Sequence, residues 1–126
     1  FGRASAKLDD IVNWIPARLA GLLTVLCAFL VGLDGKNAWK IYRRDCHNHA
    51  SPNSAQTESA CAGALQVQLA GDAYYFGKLC HKPTIGDPIR PVKPQDIVLA
   101  NRLMVASDLV FAALCCAAWA MVYWLI

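Results

Sequence analysis

The sequence has six cysteines but no Cys-x-x-Cys pair. Cys27, Cys115 and Cys116 lie inside apolar runs, where a free thiol behaves as a small hydrophobe. Cys46, Cys61 and Cys80 are irregularly spaced, which argues against both a disulfide framework and a zinc site. Free thiols suit a reducing, cytoplasm-facing location. No basic stripe interleaved with aromatic residues is present, and a net charge of +3 is too small to point to nucleic acid. No basic segment, apolar core and small-residue cleavage site open the chain, so nothing reads as a secretory signal. The chain begins at Phe1 rather than methionine, and it is expected to be a piece of a longer protein. Internal repeats and low-complexity tracts are absent, and so is the GxxxxGK[ST] spacing of a Walker A loop.

What is present is apolar. Hydrophobic residues make up 56% of the 126 residues, against about 45–50% in ordinary globular chains. They concentrate in two charge-free runs, residues 19–33 and 109–126. The second meets the usual criterion of about 18 residues for a membrane helix, and Trp119, Tyr123 and Trp124 near its end suit a headgroup belt. The first reaches spanning length only with residues 15–17 added. Leu8, Ile11, Val12 and Ile15 share one face of a preceding amphipathic helix, which Pro16 should kink or end. Asp108 stands at the edge of the second run, either at the interface or facing the protein interior. Between the runs lie nine of the twelve basic residues, which places that segment in the cytoplasm. The expected architecture is all-α and integral to the cell membrane, multi-pass, with two apolar spans flanking a polar helical and loop segment. Its parts are an amphipathic helix at 1–16, a span at 17–33, a motif-bearing segment at 34–102 and a span at 103–126. Helices are expected near 7–15, 17–33, 37–46, 54–70 and 95–126.

Three polar features lie between the runs. The first is Arg43-Arg44-Asp45-Cys46-His47-Asn48-His49-Ala50-Ser51-Pro52-Asn53. Ser51 before proline leaves the α region, and Asn53 with Gln56 three residues on suggests a capped helix start. Cys46, His47 and His49 have no partner cluster that would make them a metal site. The second is a helix from Ser54 rich in alanine, serine and glycine, which allows close helix approach. Glu58 stands among these small residues, where a carboxylate is costly unless it meets water, pairs with Arg44 or Lys78, or is used in chemistry. The third is Tyr74-Tyr75-Phe76-Gly77-Lys78 followed by Lys82-Pro83-Thr84-Ile85-Gly86-Asp87. Its lysines and glycines suit phosphate binding, and a solvated basic loop is the alternative.

Together these segments resemble the adenosylcobinamide-phosphate synthase family of cobalamin biosynthesis. The resemblance runs through residues 7–19, Arg44-Asp45, His49, Ser51-Pro52-Asn53, Glu58, Ala62-Gly63-Ala64-Leu65, Tyr75-Phe76-Gly77-Lys78 and residues 82–87. It covers nearly the whole chain, but only the family's C-terminal half. Ala55-Gln56-Thr57, Gln66 and Cys80-His81 depart from the family pattern. The resemblance implies an amide-forming carbon–nitrogen ligase. It would join an aminopropanol phosphate, or a similar amino-alcohol phosphate, to a carboxylate of adenosylcobyric acid. ATP and magnesium are implied, with the corrinoid as substrate rather than cofactor. The implied roles are phosphate binding by Lys78, Lys82 and Arg44, and base or amine-orienting chemistry by Glu58 or His49. Asp10, Asn13, Asp45, Asn53, Thr84 and Asp87 would shape the pocket or hold a magnesium-bound nucleotide. Ser51, Tyr75, Gly77 and Gly86 would support it. Implied partners are the two substrates, the lipid bilayer and the N-terminal half of the same protein, with no nucleic acid. The competing readings are a membrane corrinoid-binding or transport component without catalysis, and a structural helical hairpin. A straight crossing at 17–33 would part Asp10 and Asn13 from the lysines, whereas a re-entrant or protein-buried first run would keep them together.

Overall fold

Pro16 shapes the N-terminal region. It has no N–H to donate to the Val12 carbonyl, and its ring crowds that carbonyl. The helical ladder therefore breaks just upstream. Helices α1 (Gly2–Val12) and α2 (Trp14–Leu30) meet at Asn13 with a bend of 50°. Pro16 itself sits in the first turn of α2, where a missing N–H costs nothing. In this computed structural model, which describes residues 2–126, α2 leads to α3 (Gly35–Asp45), α4 (Ser54–Leu65), four short strands and a long α5 (Gln95–Leu125).

Small residues set the packing of α2, α3 and α4. A Cβ on Gly63 of α4 would lie 2.7 Å from both the Ala38 Cα and the Asn37 carbonyl oxygen of α3. A Cβ on Gly21 of α2 would lie 3.0 Å from the Gln56 carbonyl oxygen of α4. The helices thus touch backbone to backbone, and the core of Val25, Cys27, Ala28, Ala38, Tyr42, Ala60, Ala64 and Leu103 forms between them. Asp34 caps α3 by accepting the Asn37 N–H at 2.9 Å, and that bond, aided by Gln66, holds its carboxyl below the usual range.

The first apolar run is therefore half-buried in protein: Gly21, Leu23, Thr24, Val25, Cys27 and Ala28 are buried, while Leu22, Leu26 and Phe29 face outward. Only as a bent pair with α1 does it meet the length and apolarity of a span, as a broken crossing or a re-entrant loop. The second run differs. Leu103 and Ser107 dock α5 on the bundle, whereas every residue from Phe111 onward is exposed. Among the described residues α5 is the one helix long and apolar enough to cross a membrane by itself.

Two expectations for the middle segment need correction. Gln56 does not close a capping box, and Asn53 makes no side-chain cap. Gln56 is instead buried and accepts from the Tyr42 hydroxyl at 3.0 Å, while its amide donates to the Cys46 and Pro52 carbonyls. Nor does α4 reach residue 70. It stops at Leu65 because Gln66 turns left-handed, at φ 59°, and returns its N–H to Ala62 and Gly63. The chain then forms a hairpin in place of helix, so the fold is mostly rather than wholly α. Strands β1 (Leu69–Ala70) and β4 (Thr84–Ile85) pair at its base, and β2 (Ala73–Tyr75) and β3 (Lys78–Cys80) pair at its tip. Phe76 and Gly77, both at positive φ, close the tip as a tight two-residue turn of the kind whose twist suits a hairpin. Ile85 is buried against Ala55 and Ala62 and ties the base to α4.

Candidate functional site

The bend at Asn13 brings the end of α1 against the loop between α3 and α4. Ser51 donates its hydroxyl to Asp10 Oδ1 at 3.0 Å, and the Asn53 amide donates to the Asp10 carbonyl at 3.0 Å. The end of α1 and the loop after α3 thus meet at one end of the bundle, as a non-crossing first run requires. In the same loop the His49 Nδ1 accepts the Ser51 N–H at 3.0 Å. Asn48 donates to the Thr84 carbonyl at 3.1 Å and so links this loop to the hairpin base. The result is a polar face built from α1, the α3–α4 loop and β4.

Next to it lies a latch. Arg44 grips Asp45 with Nε and Nη2 at 2.7 and 2.8 Å, and reaches Asp87 with Nη1 at 2.7 Å. Asp45 is buried and also accepts the Gly86 N–H at 2.8 Å. Lys40 adds a contact to Asp87 at 3.4 Å. The Arg44 guanidinium holds both carboxyls below the usual carboxylate range, with the Gly86 N–H helping at Asp45, and Arg44 itself is pushed upward. Gly86 sits at φ 86°, and a Cβ there would press on the Val67 carbonyl oxygen. Only glycine can bring this backbone N–H to Asp45.

The expected site residues accordingly divide. Asp10, Ser51, Asn53, His49 and Thr84 come together on the polar face. Arg44 differs from its expected role as a free phosphate binder: three of its N–H groups are committed to the latch, which makes Asp45, Asp87 and Gly86 parts of the scaffold that holds the hairpin base. Lys78, Lys82, Tyr75 and Gly77 are carried outward on the hairpin arm. Lys82 Nζ donates to the Tyr75 hydroxyl at 2.7 Å and lies over its ring at 4.4 Å, while the Lys78 ammonium has no partner among the described residues. Asn13 turns back to Asp9 at 2.8 Å and does not join the face. His49 cannot serve as a base through Nδ1, whose lone pair takes the Ser51 N–H. With that tautomer assigned from the hydrogen bond, Nε2 carries the proton and presents a donor.

Glu58 is not on the polar face. It lines an apolar cleft of about 650 Å³ between α2, α4 and α5, together with Asp108. Neither carboxylate pairs with Arg44, Lys78 or any other described residue. Among the described residues no three carboxylates, histidines or cysteines converge in a way that would hold a metal. Sequence reasoning missed Asn48, Lys40 and the Tyr42–Gln56 pair, all of which act across 14 or more positions. The positive-φ glycines of the hairpin were the available signal for its turns.

Residues 1–104 match the family described as CobD/Cbib protein. The chain is 45% identical over 114 residues to the cobalamin biosynthesis protein CobD of Desulfotalea psychrophila, covering 90% of this chain and 34% of that protein. It is 52% identical over 104 residues to CobD of Clostridium perfringens, covering 82% of this chain and 33% of the relative. It is 47% identical over 115 residues to the cobalamin biosynthesis protein CbiB of Salmonella typhimurium, covering 90% and 36% respectively. The chain thus spans about a third of the length of the curated relatives it matches. No solved structure matches it.

Proposed function

Since the chain belongs to the CobD/Cbib protein family of cobalamin biosynthesis, we propose that it carries part of the site of an adenosylcobinamide-phosphate synthase. That enzyme would form the amide between a carboxylate of adenosylcobyric acid and an aminopropanol phosphate or similar amino-alcohol phosphate. The observation that supports this reading is the convergence of Asp10, His49, Ser51, Asn53 and Thr84 on one polar face, beside a hairpin arm whose Lys78 has no partner among the described residues.

In this reading Lys78 and Lys82 hold the substrate phosphate as point charges. The Tyr75 ring and hydroxyl orient Lys82. Asp10 spends Oδ1 on Ser51 and keeps Oδ2 for the substrate ammonium, which must lose one proton before its nitrogen can attack and a second as the amide forms. His49 Nε2–H donates to an oxygen of either substrate. The new C–N bond forms as the activated carboxyl carbon expels its leaving oxygen. ATP would supply that activation as an acyl phosphate. Asp45 and Asp87 are engaged by Arg44, so a magnesium-bound nucleotide would be held by residues outside this chain.

The test uses purified full-length protein with adenosylcobyric acid, amino-alcohol phosphate, ATP and magnesium, with the product followed by mass. Amide product that falls with Asp10→Ala, together with a raised KM for the amino-alcohol phosphate in Lys78→Ala, supports the reading. Corrinoid binding without product would favour a corrinoid-binding or transport component instead.

A further inference from the structure

The apolar cleft beside the polar face has the form of a helix seat. On α5 it is lined at 100, 103, 104, 107, 108 and 111, a single helical stripe about 16 Å long, or three turns. A stripe of α2 from Ile15 to Thr24 forms the opposite wall, and α4 contributes Thr57, Glu58 and Cys61. Ridges of this length accept the ridges of another helix.

Its polar groups say what that helix carries. The Thr24 and Ser107 hydroxyls turn back onto the Ala20 and Leu103 carbonyls at 2.8 and 2.9 Å, so both are satisfied within their own helices. The Glu58 and Asp108 side chains are exposed along this mostly apolar lining and make no hydrogen bond or ion pair among the described residues. An occupant with apolar side chains alone would bury two uncompensated charges. One that brings a cation would satisfy them. About two thirds of the length of the relatives lies outside this chain, and that remainder is the source at hand.

We propose that the cleft seats an apolar helix bearing a lysine or arginine, supplied by the part of the full-length protein outside residues 1–126, with its cation between Glu58 and Asp108. The assignment does not depend on the reaction proposed above. It also gives Glu58 an architectural role in place of a catalytic one.

The test places a benzophenone amino acid at Thr57 of the full-length protein in native membranes. After irradiation, the cross-linked peptides are sequenced by mass spectrometry. The expected adduct is a peptide of the same polypeptide from outside residues 1–126, in an apolar stretch containing lysine or arginine. Adducts to lipid only, to a second copy of residues 1–126, or to nothing would overturn the proposal. A charge-reversal pair gives an independent check. Glu58→Lys with Asp108→Lys should sharply reduce the folded protein recovered in detergent, and changing the partner cation to glutamate should restore it. No restoration at any basic residue of the remaining chain would also overturn the proposal.

Discussion

The bundle of α2, α3 and α4 and the outer half of α5 are both rich in alanine, leucine and cysteine, yet their surroundings are opposite. In the bundle Cys27, Ala28, Ala38, Ala55, Ala60 and Ala62 are fully buried, and Gly21 and Gly63 let backbones touch. In α5 beyond Val110 every side chain is exposed, large apolar ones included. The small and apolar residue types are shared, and what differs at these positions is whether another helix lies close enough to use a small residue. An exposed run of that kind in water would be a severe liability, whereas in a bilayer it is an ordinary surface. Apolar length alone therefore does not separate a helix covered by other helices from one left exposed.

The largest expected effect comes from filling the closest helix contact. Gly63→Val would drive a side chain into α3 backbone and should cost about 3 kcal/mol or more, read as thermal unfolding in detergent. A normal midpoint would mean that α3 and α4 do not touch at Gly63. Next is the latch. Asp45→Asn removes a buried carboxylate from a half-exposed Arg44, so the cost should be about 1–3 kcal/mol, discounted for solvent at the arginine. The Asp45 and Asp87 carboxyls are held below their ordinary value by Arg44. Their stabilisation is therefore present above the unfolded value of about 3.9 and is lost as pH falls through the lower folded value. Asp45→Asn should flatten that acid limb, and an unchanged acid titration would remove the latch from the account. Last is a matched pair whose second member has the smallest effect. Ala28→Leu overpacks the core and should cost about 1–3 kcal/mol, while Ala117→Leu on the outer half of α5 should stay within about 0.5 kcal/mol. Equal costs would erase the contrast between the two regions.

Features carried by local chemistry were legible in the sequence. The proline before Asp96 marked the start of α5, where Arg90 grips that carboxylate at 2.7 and 2.9 Å. Pro16 marked the bend, and the small residues of α4 marked the close packing. Features decided by distant partners were not legible. Gln56 reads locally as a capping residue, but Tyr42 and the Cys46 carbonyl claim it across the bundle. Arg44 and Asp45 are neighbours that do not face each other within a regular helix. They pair because Asp45 is the last residue of α3 and Gly86 meets it there. The hairpin was hidden because Gln66, a good helix former, ends α4 in a left-handed turn that favours glycine. For the polar face, the resemblance named the residues, and the structure set Glu58 and Arg44 apart from Asp10, Ser51 and Asn53.

The contrast between the two apolar runs is tested most directly by spin labels placed singly at each position of 19–29 and 113–123 in bilayer-reconstituted full-length protein. Accessibility to oxygen would be compared with accessibility to a water-soluble nickel chelate. The account predicts a 3.6-residue oscillation in oxygen access along 19–29, with minima near Leu23 and Cys27, and high oxygen access with little chelate access throughout 113–123. High chelate access along 113–123, or uniform oxygen access along 19–29, would contradict it.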